Sequence, residues 1–359
     1  MSNFDLLQRY MKIKQPDDKV QLCYLWIHSE GNCLRAKSLT VSFVPTHPDQ
    51  VPLWKCAGSA NVGYNAEFTL MPVALYDDPF REGKNKIVLC ELGDIYDKPP
   101  IYNKRHNCLQ AFKTTAELYD PWTQVTQTYT LLDDCDEQPL GWPKNGYPEP
   151  RSHYYCGVGT GKTFGRDIAE AHYRACLYAG IGISSVNAHF IPSNWQYQIG
   201  YARSIAVIDD LWTSRFLLTR LAEHFGVRVS YDQQQLPGVK NCKTLYLNFS
   251  SKQMREKNGF RFNNEIVLEK NCDRHKCTLN FQSNDGKEVV KEFEKVKEGD
   301  LQSQSKSGES VNVPKESEAV KFEQVSDEES GFVQFCATDS VFDPYEITMS
   351  IVNKVCLNQ

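Results

Sequence analysis

The stretch from Tyr154 to Gly180, YYCGVGTGKTFGRDIAEAHYRACLYAG, constrains the fold most. Its residues predict an aromatic strand, a glycine-dense loop and a capped helix in unbroken succession. Gly157, Gly159, Gly161 and Gly165 crowd the loop. Asp167 can serve as N-cap, Ile168, Ala171, Ala175 and Ala179 recur at helical spacing, and Gly180 is the expected stop. The run GVGTGKT invites a phosphate-binding P-loop reading, but that motif needs four residues between its first glycine and the Gly-Lys pair. Counting back from Gly161 puts that position on Cys156, and Gly157 comes one residue late. A phosphate cradle depends on that register, so the glycines read as a tight strand-to-helix connection.

A chain of 359 residues is long enough for a large core split into more than one domain. The net charge of -5 is mild and no basic face is evident, which argues against a nucleic-acid partner. No apolar run is long enough to span a bilayer, and MSNFDLLQRYMKIKQ lacks the apolar core of a signal peptide. The 13 cysteines have no framework spacing. Free thiols in a reducing cytosol account for them, so a cytoplasmic location is expected.

In chain order, Ser2 to Lys12 predicts a short amphipathic helix. Val20–His28, Leu34–Phe43, Ala66–Leu75 and Lys86–Leu92 predict strands of a small, mainly antiparallel domain. The remainder alternates strands and helices. Strands are expected at Thr126–Asp133, Val186–Ile191, Trp195–Ile199 and Leu245–Ser250. Helices are expected at Phe164–Ala179, Asp209–Phe225 with Gly226 as stop, from Lys252, and after Pro344. From Ser283 to Ser330 the chain is rich in Lys, Glu and Ser, and reads as a solvated, partly disordered loop.

The opening stretch closely resembles the eukaryotic class of glutamine synthetases. Further matches are DPWTQVTQTYTLL at Asp120 to Leu132, LGWPKNGYP at Leu140 to Pro148, VNAHFIPSNWQYQIG at Val186 to Gly200 and LNFSSKQMREKNG at Leu247 to Gly259. Matching segments are dense from about Lys19 to Gly259, then thin out. The resemblance implies an α+β fold: a β-grasp N-terminal domain over residues 1–105 and a glutamine synthetase-type catalytic-like domain, an antiparallel sheet flanked by helices, over residues 106–359. It also implies a ring homo-oligomer, typically a decamer in this class, and an enzyme using Mg²⁺ or Mn²⁺ with ATP. Such hard cations need oxygen ligands with formal negative charge.

The positions that carry those ligands in the family are changed here. A strand presents residues i and i+2 on one face, and the family sets two glutamates there; this chain has Thr126 and Thr128. The family's Asn-Ala-Glu becomes Asn187-Ala188-His189, and its Trp-Glu-aromatic becomes Trp195-Gln196-Tyr197. Its ligand histidine corresponds to Tyr246, and its last glutamate to Gln334. The aspartate that deprotonates ammonium corresponds to Ala57, and the late substrate-gripping arginines fall near Ser307, Asn312, Cys336 and Ala337. By this correspondence five metal-binding carboxylates and one histidine are replaced, besides the aspartate at Ala57. Trp122, Asn248, Ser250 and Arg255 survive, the last three near the family's nucleotide site. Removing one charge-stabilising interaction costs about two to three orders of magnitude in rate. Losing the whole cage leaves no route for the family's phosphoryl transfer.

The chain therefore reads as a pseudoenzyme without a cofactor. Its role would be structural or regulatory, through a homo-oligomer or a hetero-oligomer with an active paralogue. The alternative is residual or altered ATP-dependent glutamate–ammonia ligase chemistry. Three further features read as structural or incidental. Cys272, His275 and Cys277 lack a fourth ligand and a regular spacing for zinc, and read as a polar turn. His189 reads as a hydrogen-bonded core histidine. Ser326, followed by acids, suits phosphorylation, but a charged loop needs no such role.

Overall fold

A computed structural model gives the fold. It describes the chain except residues 1–9, 11, 29–32, 58–66, 94–102, 135–137, 145–147, 149–152, 233–243, 257–276, 284–287, 294–330, 338–342 and 358–359. Most of the expected N-terminal helix, together with Cys272, His275, Ser307, Asn312 and Ser326, lies outside the described residues. The architecture is α+β. The chain divides into two compact units, one of residues 1–102 with 178–180 and the other of residues 103–177 with 181–359.

The first unit is a five-stranded sheet of β1 (Val20–His28), β2 (Cys33–Val41), β3 (Trp54–Ala57), β4 (Glu67–Asp77) and β5 (Lys86–Gly93). The order is β2-β1-β5-β4-β3; β1 and β5 run parallel and every other pair is antiparallel. Leu22, Tyr24 and Trp26 alternate along β1 into a core shared with Val88 and Cys90. Cys23 and Leu25, on the opposite face, are buried as well. A strand covered on both sides has an unbroken apolar run, as LCYLWI does.

The second unit contains α1 (Lys104–Tyr119), β6 (Trp122–Asp133), α2 (Arg166–Ala179), β7 (Ile183–Ala188), β8 (Asn194–Ala202), α3 (Ala206–Phe225) and β9 (Val227–Ser230). There follow β10 (Leu245–Ser250), α4 (Lys252–Arg255), β11 (Cys277–Ser283), β12 (Glu288–Phe293), β13 (Gly331–Ala337) and α5 (Pro344–Val352). The eight-stranded sheet runs β12-β11-β13-β10-β6-β8-β7, with β9 paired to the end of β6. Every pairing is antiparallel. Among the described residues no helix is long and apolar enough to cross a membrane.

Helix α3 buries Val207, Ile208, Leu211, Trp212 and Leu218, and stops at Gly226, whose φ of +63° is left-handed. One buried ion pair ties three helices together. Arg105 of α1 grips Asp209 of α3 with both oxygens engaged, at 2.8 and 2.7 Å, and the Tyr345 hydroxyl of α5 donates to the same carboxylate at 2.7 Å. Asp343 caps α5 by accepting from the Tyr345 amide, with Pro344 at the first helical position.

Four local expectations are corrected. Tyr154 to Cys156 form a turn, not a strand. Cys156 is left-handed at φ +51°, and its amide already donates to the Ala188 carbonyl. Helix α2 begins at Arg166, so Asp167 sits in its first turn and the Gly165 carbonyl accepts the first helical bond, from Ala169. Gly165 is required there: its φ is +75°, and a Cβ would lie 2.3 Å from Leu131 Cδ1. Strand β7 ends at Ala188, because the His189 amide turns back to the Asn194 carbonyl in a tight hairpin. Finally, β12 lies within the stretch read as a loop, paired to β11 from Cys277↔Phe293 to Gln282↔Glu288.

Candidate functional site

Strand β6 sits inside the large sheet, between β10 and β8. Its alternation sends Val125, Gln127, Tyr129 and Leu131 to one face, where Gln127 meets Arg215 of α3 and Tyr197 of β8 meets His172 of α2. Gln124, Thr126, Thr128 and Thr130 take the other face. Register then assembles the candidate positions. Thr126 lies opposite Tyr246 on β10, and Thr128 lies opposite Gln196 on β8. Gln196 in turn faces Asn187 on β7, and Asn248 faces Gln334 on β13. Directly opposed residues on one face have Cβ atoms about 4.5–5.5 Å apart. Thr126, Thr128, Gln196, Tyr246 and Gln334, widely separated in sequence, thus share one surface. His189 lies beyond the end of β7, and Ala57 closes β3 in the first unit with its side chain exposed.

The surface is polar and uncharged. A directional chain of amides crosses it: Gln334 Nε2 donates to Asn248 Oδ1 at 2.9 Å, and Asn248 Nδ2 donates to Gln124 Oε1 at 2.9 Å. The Ser185 hydroxyl donates to Gln198 Oε1 at 2.9 Å. At the hairpin end, Asn194 Nδ2 donates to Thr130 Oγ1 at 3.0 Å, and its Oδ1 lies 2.8 Å from Nδ1 of buried His189. Thr128 is completely buried and its hydroxyl has no hydrogen-bond partner. Among the described residues no three His, Cys, Asp or Glu side chains are grouped to hold a metal ion.

One edge of this surface is charged. Arg255 donates to the Asp120 carbonyl and carboxylate, both at 2.8 Å, and to the Ser250 carbonyl and hydroxyl at 2.9 and 3.1 Å. Arg203 Nε lies 3.3 Å from Asp120 Oδ1. Trp122 donates from Nε1 to Asp120 Oδ2 at 3.3 Å, and each guanidinium lies 5.2 Å from the centre of its ring. Burial pulls the Arg255 guanidinium below its usual range; Asp120 opposes that and Arg203 adds to it. Trp122, Ser250 and Arg255 therefore come together, while Asn248 belongs to the amide chain.

The face beneath is a core with polar members. Arg215 is buried, donates to Gln127 Oε1 through Nε and Nη2, and lies 4.6 Å from the centre of the Trp212 ring. Gln127 Nε2 donates to the Thr128 and Thr244 carbonyls, both at 2.9 Å, locking β6 to the residue before β10. His172 Nε2 lies 3.0 Å from Ser214 Oγ, and burial pushes this imidazole down to about 4. Burial raises the Tyr129 and Tyr197 phenols. The sequence reading omitted Gln127, Gln124, Gln198, Asp120 and Arg203. Alternation from Thr126 and Gln196 would have found Gln124 and Gln198; Arg203 carries no such signal.

This combination, a mainly antiparallel small sheet followed by a larger antiparallel sheet backed by helices, is the architecture expected from the sequence motifs. No family model matches the chain. Curated relatives do. Glutamine synthetase of Panulirus argus is 38% identical over 362 residues, covering 100% of this chain and 99% of the relative. Glutamine synthetase 2 cytoplasmic of Drosophila melanogaster is 38% identical over 364 residues, covering 99% and 96%. Glutamine synthetase of Rattus norvegicus is 37% identical over 361 residues, covering 99% and 95%. The chain belongs to the glutamine synthetase family. The similarity spans its full length, including the part beyond Gly259 where matching segments thin out.

Proposed function

We propose that this chain is a catalytically inactive member of the glutamine synthetase family, acting through assembly as a structural or regulatory protein. The observation that carries this reading is the neutral surface around Thr126, Thr128, Gln196, Tyr246 and Gln334. Magnesium and manganese ions are hard and doubly charged, and require anionic oxygen. Hydroxyls, amides and a phenol supply dipoles but no compensating charge, so this donor set does not fit such ions. With no ion bound there, phosphoryl transfer from ATP has nothing to neutralise its developing charge, and no catalytic step is assigned. Trp122, Asn248, Ser250 and Arg255 are read as a remnant of a nucleotide site.

The sheet and its helices owe their stability to apolar packing that the polar face does not disturb. Assembly into a ring of identical subunits, a decamer as in the eukaryotic class, is therefore part of the proposal. So are co-assembly with an active paralogue and residence in the cytoplasm. The competing reading is a working or altered glutamate–ammonia ligase, favoured by relatives named glutamine synthetase along the full chain. Ligase activity of the purified protein, with its oligomer mass measured alongside, separates the two. The proposal predicts a stable oligomer with no metal-dependent glutamine formation. Mixing with an active glutamine synthetase then tests regulation: hetero-oligomers and reduced activity are expected, and unchanged activity without mixed species rules co-assembly out.

A further inference from the structure

Strand β2 forms one end of the five-stranded sheet, and among the described residues it pairs only with β1. Its side chains alternate between the two faces. Leu39 and Val41 pack against the core of the first unit. Ser38 takes the other face, where it pairs in register with Cys23 of β1 and is exposed. Arg35, three residues earlier, is exposed as well, and Lys37 directly precedes the serine. The run Arg35-Ala36-Lys37-Ser38-Leu39 is therefore an extended surface segment with basic residues just before a hydroxyl. Kinases take their substrates as extended chains and select them by the charges flanking the acceptor. A kinase with an acidic cleft favours a basic residue three positions before it.

The same serine already touches a group suited to receive a phosphate. Arg81, in the turn joining β4 to β5, donates from Nη2 to Ser38 Oγ at 2.9 Å. Its Nη1 donates to Asp78 Oδ2 at 2.7 Å. Asp78 is wholly buried, and its Oδ1 accepts from the amides of Phe80 and Arg81 at 2.9 and 3.2 Å. A fixed carboxylate thus holds one nitrogen of the guanidinium and leaves the other on an exposed hydroxyl. A phosphate ester at Ser38 would bring charged oxygens to that guanidinium, and a charge-assisted hydrogen bond is roughly twice as strong as a neutral one. The two anions would sit on different nitrogens, with the cation between them. Ser38 belongs to the end strand and Arg81 to the β4–β5 turn, so the modification would tie the two together.

We propose that Ser38 is a phosphorylation site for a serine/threonine kinase that selects a basic residue three positions before the acceptor, with Arg81 as the receiving cation. The Ser38 hydroxyl oxygen attacks the γ-phosphorus of ATP held by the kinase. As the new O–P bond forms, the bond from the γ-phosphorus to the β–γ bridging oxygen breaks. ADP leaves with that electron pair, and the hydroxyl proton passes to the kinase's base. The inference is independent of the reading of the family site. Its test incubates the full-length protein with activated calcium/calmodulin-dependent protein kinase II and Mg-ATP, and maps the phosphate by tandem mass spectrometry. Phosphate on Ser38 is expected, and Arg35→Ala should slow its transfer about tenfold, the effect of one lost ionic contact. Phosphorus NMR then follows the second ionisation of the phosphoserine in the protein and in a synthetic phosphopeptide of Leu34 to Thr40, which has the same basic neighbours but no Arg81. Arg81 favours the dianion, so the midpoint in the protein should lie below that of the peptide by about half a pH unit or more. Ser38→Ala should remove the signal. No phosphate on Ser38, an unchanged rate in Arg35→Ala, or equal midpoints in protein and peptide would each overturn the proposal.

Discussion

Strand β6 places Thr126 and Thr128 on one face of the large sheet and Gln127 between them on the other. On the helix-covered face, Gln127 is saturated: it accepts from Arg215 and donates to two carbonyls. On the opposite face, the buried Thr128 hydroxyl has no hydrogen-bond partner. The covered face includes a cation, an imidazole and two raised phenols, and burial fixes their states. The opposite face shows amides and hydroxyls, with no charged side chain among Gln124, Thr126, Thr128 and Gln196. Fold and function are thus separable by side-chain parity on one strand. The family scaffold rests on the covered face, and the chemistry expected of the family would rest on the opposite one.

The contrast can be broken by substitution, starting on the covered face. Trp195 is 2% exposed and donates from Nε1 to the Phe164 carbonyl at 2.8 Å. Trp195→Ala should cost about 3–5 kcal/mol in denaturant unfolding; a cost near zero would mean this face does not carry the fold.

A pH titration gives the next largest effect. His172 stays neutral in the folded protein down to about 4, against about 6.5 for an ordinary histidine. The unfolded chain therefore binds a proton that the native state does not as pH falls from 6.5 toward 4. Stability should decline through that window by up to about 3 kcal/mol. His172→Gln should flatten that segment of the profile.

Gln127→Leu leaves the buried Arg215 guanidinium without its amide acceptor and should destabilise by about 2–3 kcal/mol, measured as a shift in melting temperature. Thr128→Val, one residue along and on the other face, should change stability by less than about 0.5 kcal/mol and can raise it, since it removes an unpartnered buried hydroxyl. Similar costs for these adjacent substitutions would erase the distinction between the faces.

Much of this was legible before any coordinates. The bounds of β1 and β10 follow from the runs VQLCYLWIH and LYLNFS, and α3 from its apolar spacing and Gly226. The convergence of Thr126, Tyr246 and Gln334 was legible only through the resemblance, because strand register between distant segments leaves no local mark. Two adjacent tyrosines read as a strand where the backbone turns, since aromatic content favours strands but cannot report the left-handed Cys156 that ends one. Strand β12 was hidden by composition: EVVKEF lies in a Lys/Glu-rich run, and the surrounding charge outweighed its Val289, Val290 and Phe293. The Gln127–Arg215 hub was invisible because it joins residues 88 positions apart.

The central claim is that the face opposite the helix-covered one carries no charge able to hold a divalent cation. Calorimetric titration of Mn²⁺ into the purified full-length protein, with and without ATP, tests it most directly. The account predicts no saturable heat in either case. Stoichiometric, saturable Mn²⁺ binding that Thr126→Arg abolishes would contradict it.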